Sequence, residues 1–260
     1  MFAQVLATEF LKLRRSKVVW LSFVALSLGP LGIALLMWIV REPGRAASLG
    51  LLGTKADLSG LVATWPAYLT VFTQVVGVGG LLLLSFIMVY VFGREYTDGT
   101  AKNLLALPTG RHWFVLAKFT VAAVWWGLLV LAVLAEAFII GFVIALPGFS
   151  TGLALEAVRN ALLAAGIAYL LAPIVAWIVT LSRGYLAPLG FALAVLALGN
   201  LFSKTGWGVW FPWSIVPLII GMVGNSVESI PLGSIVVVAL TFVLGVAATI
   251  AQTRYADNTQ

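Results

Sequence analysis

Residues 66–92 read PAYLTVFTQVVGVGGLLLLSFIMVYVF without one charged side chain, and the chain then turns abruptly polar at Gly93-Arg94-Glu95-Tyr96-Thr97-Asp98. An apolar run of that length exceeds the roughly 20 residues that carry a helix across a bilayer. Backbone amides have no water to bond in hydrocarbon, so such a run crosses as a helix. Working outward, five further stretches meet the same test: 18–40, 113–146, 157–181, 185–202 and 232–251. The run at 113–146 is too long for a straight crossing and implies tilt or an extra turn outside the bilayer. Gly29, Pro30 and Gly32 in the first span, and Gly77, Gly79 and Gly80 in the second, point to kinks or close helix packing.

Composition agrees with that reading. Hydrophobic residues make up 62% of the 260, charged residues 9%, and the mean hydropathy is +1.10. Soluble domains run at roughly 45–50% apolar and about 25% charged. Too few polar residues are present to cover a water-soluble core of this size. The expected fold is an all-α integral membrane protein of about six transmembrane helices, forming one domain over residues 1–260.

The formal charge is +6, yet the basic residues are scattered over short loops, which reads as membrane topology and excludes a nucleic-acid stripe. Six crossings put ten of them on one side: Lys12, Arg14, Arg15, Lys17, Arg94, Lys102, Arg111, Lys118, Arg183 and Arg254. Arg41, Arg45, Lys55, Arg159 and Lys204 fall on the other. The positive-inside rule then predicts both termini in the cytoplasm. The apolar run after Lys17 is long and lacks a small-residue cleavage site, so it reads as a retained span and not a signal peptide. With no cysteine in the chain, disulfides and thiolate metal sites are excluded.

Ahead of the first span, Phe2, Val5, Leu6, Phe10 and Leu13 recur at helical spacing, with Gln4, Thr8, Lys12 and Arg15 opposite. This predicts an amphipathic helix on the membrane surface, its basic face toward lipid headgroups or a partner. Residues 203–230 carry Trp207, Trp210, Phe211, Pro212, Trp213 and Pro217, then an apolar run to Val223. That run is too short to span and too apolar for an ordinary loop, so a re-entrant or interfacial segment is expected before the last helix.

The loop after the second span holds the densest mixture of charges. Thr97 or Asp98 can cap a short helix there, and Pro108 would stop it. Such a helix would show Leu104, Leu105 and Leu107 beside Asp98 and Lys102, the pairing of apolar and charged groups that a docking surface needs. The pattern Glu95-x-x-x-Gly99-Thr100-x-Lys102-x-Leu104-Leu105-x-x-Pro108-x-x-Arg111, with Lys118 beyond it, resembles the cytoplasmic loop of type-2 ABC-transporter permeases. It is closest to their bacitracin- and lantibiotic-resistance branch. Glu9-x-x-Lys12-Leu13-Arg14-Arg15-Ser16 before the first span and Trp210-Phe211-Pro212-Trp213 before the last support the resemblance, which covers essentially the whole chain.

That resemblance implies the transmembrane subunit of an ATP-driven exporter in a bacterial plasma membrane, moving an amphiphilic substrate such as a peptide antibiotic or a lipid-linked molecule. It implies a second permease copy or paralogue, with spans two and five at the interface. It also implies a soluble ATPase partner that holds ATP and Mg, while this chain binds no cofactor and catalyses nothing. Carried over, Glu95, Gly99, Thr100, Lys102, Leu104, Leu105, Pro108 and Arg111 become ATPase-coupling residues in a cytoplasmic coupling helix. Glu9 and Lys12 become their neighbours on the interfacial helix. The run Gly93 to Gly99 followed by Thr-Ala-Lys has the wrong order and spacing for a phosphate-binding loop.

Glu136 is the one acidic residue inside a span, and an intramembrane carboxylate is costly enough to mark a functional site. It can hold a cationic substrate, relay protons, or pair with Arg159 near the outer boundary. His112, the single histidine, has no clustered ligands and does not suggest a metal site. Two other classes stay open on these residues: a proton-coupled secondary transporter using Glu136, and a scaffold or sensor subunit that binds an ATPase and moves nothing.

Overall fold

The computed structural model describes residues 2–48, 50, 62–100, 110–221 and 231–255. Those residues are helical throughout their regular structure, in the order α1 Phe2–Arg14, α2 Val18–Arg41, α3 Pro43–Ser48, α4 Trp65–Thr97, α5 Arg111–Val143, α6 Thr151–Ser182, α7 Leu186–Phe202, α8 Ile215–Ile219 and α9 Leu232–Tyr255. Two short 3-10 turns, Gly208–Trp210 and Pro212–Ser214, lie between α7 and α8. Among the described residues, five helices are long and apolar enough to cross a membrane: α2, α4, α5, α6 and α9.

Parity supplies the sixth crossing. Arg111 at the start of α5 donates to the carbonyls of Thr253 and Arg254 at the end of α9, so these two ends share one face. Thr97 at the end of α4 hydrogen-bonds Tyr185, which precedes α7. The chain therefore enters α7 at that same face and must cross to reach the start of α9. At 17 residues, α7 is about 26 Å long, a few ångströms short of a hydrocarbon core of about 30 Å and at the lower end of the lengths that cross one. The face that carries α1, the start of α5 and the end of α9 is called the basal face below.

α4 and α6 form the centre, and α9 packs on the other side of α6. α4 is the most enclosed of the spanning helices, with 56% of its apolar window buried. Glycines let it pack closely: a Cβ on Gly77 would meet Ile220 at 2.7 Å, and one on Gly80 would meet Trp126 at 2.9 Å. Gly29 of α2 faces Val75. Gly29, Gly77 and Gly80 thus serve close packing, whereas Gly32 and Gly79 face nothing within 4 Å, and α2 runs unbroken through Pro30.

α4 and α5 each hold 33 residues, about 50 Å of helix. They exceed the hydrocarbon thickness and project beyond it. α5 stops at Val143, short of the expected Leu146, because Ala145 turns left-handed with φ 50° and Leu146 folds back to bond the Gly141 carbonyl. At this outer end Trp65 lies fully buried against Phe138, Phe142 and Phe149 and across Gly141.

The segment before α9 re-enters the bundle. Val216 is fully buried, and Ile220 rests on Gly77, twelve residues and about 18 Å down α4 from Trp65. Gln74 donates to the Gly221 carbonyl, holding the turn there. Trp207 and Trp210 stay exposed at the entrance, as residues of an interfacial belt do.

Candidate coupling site

α1 is amphipathic as expected, but its charged residues do not all face outward. Val5, Glu9 and Leu13 form the buried stripe. Val5, Phe2 and Leu6 pack on Phe114 and Ala117 of α5, and the Phe2 and Trp113 rings lie 5.3 Å apart. Lys12, expected on the basic face toward headgroups, turns inward instead. The reason is electrostatic: two carboxylates wait for it inside the bundle.

Those carboxylates, Glu9 and Glu95, alternate with Lys12 and Lys118 in a closed knot. Lys12 Nζ donates to Glu9 Oε1 at 2.6 Å and to Glu95 Oε1 at 3.0 Å. Lys118 Nζ lies 3.1 Å from Glu95 Oε1 and 3.6 Å from Glu9 Oε2, and donates to the Val91 carbonyl at 2.5 Å. Glu9, Glu95 and Lys118 are all buried. Two acids and two bases sum to zero charge, and each acid faces both bases. That arrangement offsets the desolvation cost that would otherwise keep such groups out of the bundle. Burial alone would depress Lys12, but the hydrogen bond it donates to Glu9 and the field of Glu95 outweigh it and hold its amine above the ordinary lysine value.

Three helices that are distant in sequence meet in this knot: α1, the basal end of α4, and the first turns of α5. A second layer ties them further. Ser16 Oγ donates to Tyr90 Oη at 2.8 Å and accepts from the Val18 amide, fixing the start of α2 to α4. Arg94 reaches both Tyr90 and Asp98. Gly93 lies directly under the Tyr185 ring, where any side chain would collide, so the turn before α7 also seats on α4.

The coupling residues expected from sequence divide as follows. Glu95 lies in the knot with Glu9 and Lys12. Gly99 takes φ +68° just beyond α4, a backbone that a side chain rarely adopts, and Thr100 bonds back to the Glu95 carbonyl. Thr97 and Asp98, read as caps of a following helix, belong to the end of α4: Thr97 bonds back to the Gly93 and Arg94 carbonyls, and Asp98 is the C-cap. Arg111 is drawn to the last turn of α9, where a cation satisfies orphan carbonyls. Lys102, Leu104, Leu105 and Pro108 lie outside the described residues, and with them the expected coupling helix. The His112 ring lies tilted against Trp113, centroids 4.7 Å apart.

The sequence reading passed over Lys118 as a member of the site. Its signal was present, since a lysine inside the span 113–146 is as costly in hydrocarbon as Glu136. The pairing of Glu136 with Arg159 is not found. Ser27 of α2 donates to Glu136 Oε2 at 2.7 Å, while the exposed Arg159 turns to Asn160. Nor does Glu136 sit at the outer boundary. It lies seven residues, about 10 Å, inside the end of α5, and Ser27 lies nine residues, about 14 Å, above the start of α2.

The family profile of ABC-2 family transporter proteins matches residues 5–200, which takes in the knot and the helices it joins. The chain belongs to the ABC-2 transporter family. It is also 27% identical, over 178 residues, to the bacitracin transport permease protein BCRB of Bacillus licheniformis, covering 68% of this chain and 85% of that one. As an ABC-2 permease it is a multi-pass, non-catalytic transmembrane subunit of an ABC transporter. The family membership displaces the proton-coupled secondary transporter considered for Glu136.

Proposed function

We propose that this permease is the membrane half of an ATP-driven exporter whose nucleotide is hydrolysed by a separate soluble subunit, which docks on the basal face. In this reading the basal face is cytoplasmic, two permease chains (identical or paralogous) share two ATPases, and ATP and Mg stay with those partners. Residues 100–111 are the docking element, with Leu104 and Leu105 as its apolar contacts. The substrate is amphiphilic, a peptide antibiotic or a lipid-linked molecule drawn from the bilayer; the relative is named for bacitracin transport.

The observation that carries the reading is the buried charge knot at the root of that docking element. A push on residues 100–111 reaches Glu95 through the last turn of α4 and the Thr100 hydrogen bond, and from there ion pairs tie α1, α4 and α5 together. A loop with no mechanical task would not require two lysines and two glutamates to be buried beneath it, given what their burial costs. Movement of the element therefore tilts three helices together, a rigid-body response of the hinge and shear kind.

The test is co-purification of the permease, in nanodiscs, with the ATPases of its own cell, followed by ATP hydrolysis measured in the complex. Wild type should bring down one ATPase. Leu104→Asp should lose it, because the charge falls in the apolar contact. Glu95→Gln should retain it but uncouple hydrolysis from substrate, because the knot lies behind the contact. An ATPase bound equally by wild type and Leu104→Asp would remove residues 100–111 from the interface.

A further inference from the structure

Glu136 stands in the hydrocarbon layer with Ser27 as its hydrogen-bond donor and no cation paired with it among the described residues. Tyr68 does not neutralise it, since its hydroxyl donates to the neighbouring carbonyl of Ala137. The carboxylate is only half-buried, so a ligand can reach it. A carboxyl side chain at such depth is retained when something compensates it, and within the described chain one hydroxyl does so.

Beneath it runs a groove of about 410 Å³ between α2 and α5, lined by Trp20, Phe23, Trp125, Leu128 and Ala132. On α5, residues 125, 128, 132 and 136 follow one another at helical spacing, so Glu136 tops the same face one turn above Ala132. On α2, Trp20, Phe23 and Ser27 do likewise. Trp125 is held in place by its indole N–H, which donates to Ser22. The volume falls within the range of small-molecule sites, and the aromatic lining suits a cation as well as an apolar body. A second groove, between α2 and α4, has about 250 Å³ and is lined by Ala25, Gly29, Val75, Gly79 and Phe86. It carries no charged group, so lipid tails suffice to fill it.

We infer that the α2–α5 groove is a binding site, open to the bilayer, for a lipophilic cation whose charge seats against Glu136 and whose apolar or aromatic groups lie along Trp20, Phe23 and Trp125. The depth of the carboxylate decides the class of ligand. A small, strongly hydrated ammonium would lose its water to reach it, whereas a cation wrapped in apolar groups partitions into hydrocarbon already. Free phosphates and anionic headgroups are excluded by the charge, and sugars by the apolar lining. Binding at this site does not depend on an ATPase; its part as a transport site rests on the exporter reading above.

The probe pair is tetraphenylphosphonium and tetraphenylborate, ions of one shape and opposite charge, titrated into the full chain in phosphatidylcholine nanodiscs against empty discs. The wild type should bind the phosphonium saturably and the borate no better than empty discs do. Glu136→Gln should weaken the phosphonium on the order of tenfold or more, and Trp20→Ala, which removes an exposed ring, should weaken it about threefold. Glu136→Asp keeps the charge and should stay within about threefold of wild type. Equal binding of the two ions, wild-type affinity in Glu136→Gln, or Glu136→Asp as weak as Glu136→Gln would each overturn the assignment. Co-purification of wild type with an ATPase in the absence of the cation is read separately, so either proposal can fail without the other.

Discussion

Among the single residues, Glu95 carries the most consequence, because its Oε1 receives both lysines of the knot. Removing it leaves two amines facing Glu9 alone, inside the bundle. Glu95→Ala should therefore cost about 3 kcal/mol, read by SDS-titrated unfolding in mixed micelles. The pair Glu95→Gln with Lys118→Met removes a charge of each sign, and should be destabilised by less than the sum of the two single changes. Strict additivity would show that the two groups do not interact. Lys12 gives a pH-dependence of defined sign. Its amine is held above 10.5, so its contribution is fully present below that value and is lost as pH rises through the raised one. Because Lys12 is about a third exposed, the effect is modest. A spin label on Thr8→Cys, the sole cysteine in that variant, should be ordered at neutral pH and gain mobility only in strong alkali.

At the scale of the element, the informative joints are those where one helix end seats on another. Arg111 closes the last turn of α9, and Arg111→Gln should raise amide hydrogen exchange over 249–255 while leaving α5 protected. Unchanged exchange there would mean that α9 holds its own end. Gly77 bears the re-entrant segment through Ile220, and Gly77→Leu should displace that segment at a cost of about 1–3 kcal/mol. The displacement is measurable as increased accessibility of the buried Ser214 region to a cysteine reagent in a Ser214→Cys background. The same substitution at Gly79, where nothing lies within 4 Å, should be tolerated.

For the whole molecule, parity and hydrogen bonds place the described chain ends on one face, and the proposal makes that face cytoplasmic. A membrane-impermeant thiol reagent added to intact cells should leave Thr8→Cys unlabelled and label a cysteine placed at exposed Phe149 near the outer turn. The reverse pattern would invert the orientation and move the ATPase-docking element to the wrong side of the membrane. Docking in a pair uses whatever lipid-facing surface remains. α4, with over half its apolar window enclosed, offers little of it, whereas α7 leaves Leu186, Leu193, Leu198 and Leu201 exposed. Of the two spans expected at a permease interface, the fifth has the free face.

Sequence by itself determined the solvent, the class and the number of crossings. These depend on run length and on the absence of charge, quantities that need no neighbour to evaluate: 66–92 is apolar whatever it packs against. It also carried the amphipathic α1, the re-entrant tryptophan-proline segment, and the motif around Glu95 that marks the family. Tertiary structure alone decided which charges meet. Glu9, Lys12, Glu95 and Lys118 come from three helices, and whether a lysine faces headgroups or a buried carboxylate depends on the rotation and depth of its helix. The periodicity of one segment cannot report either. For the same reason Glu136 found Ser27 instead of Arg159: helical spacing tells which face a residue occupies, and only packing tells what stands opposite.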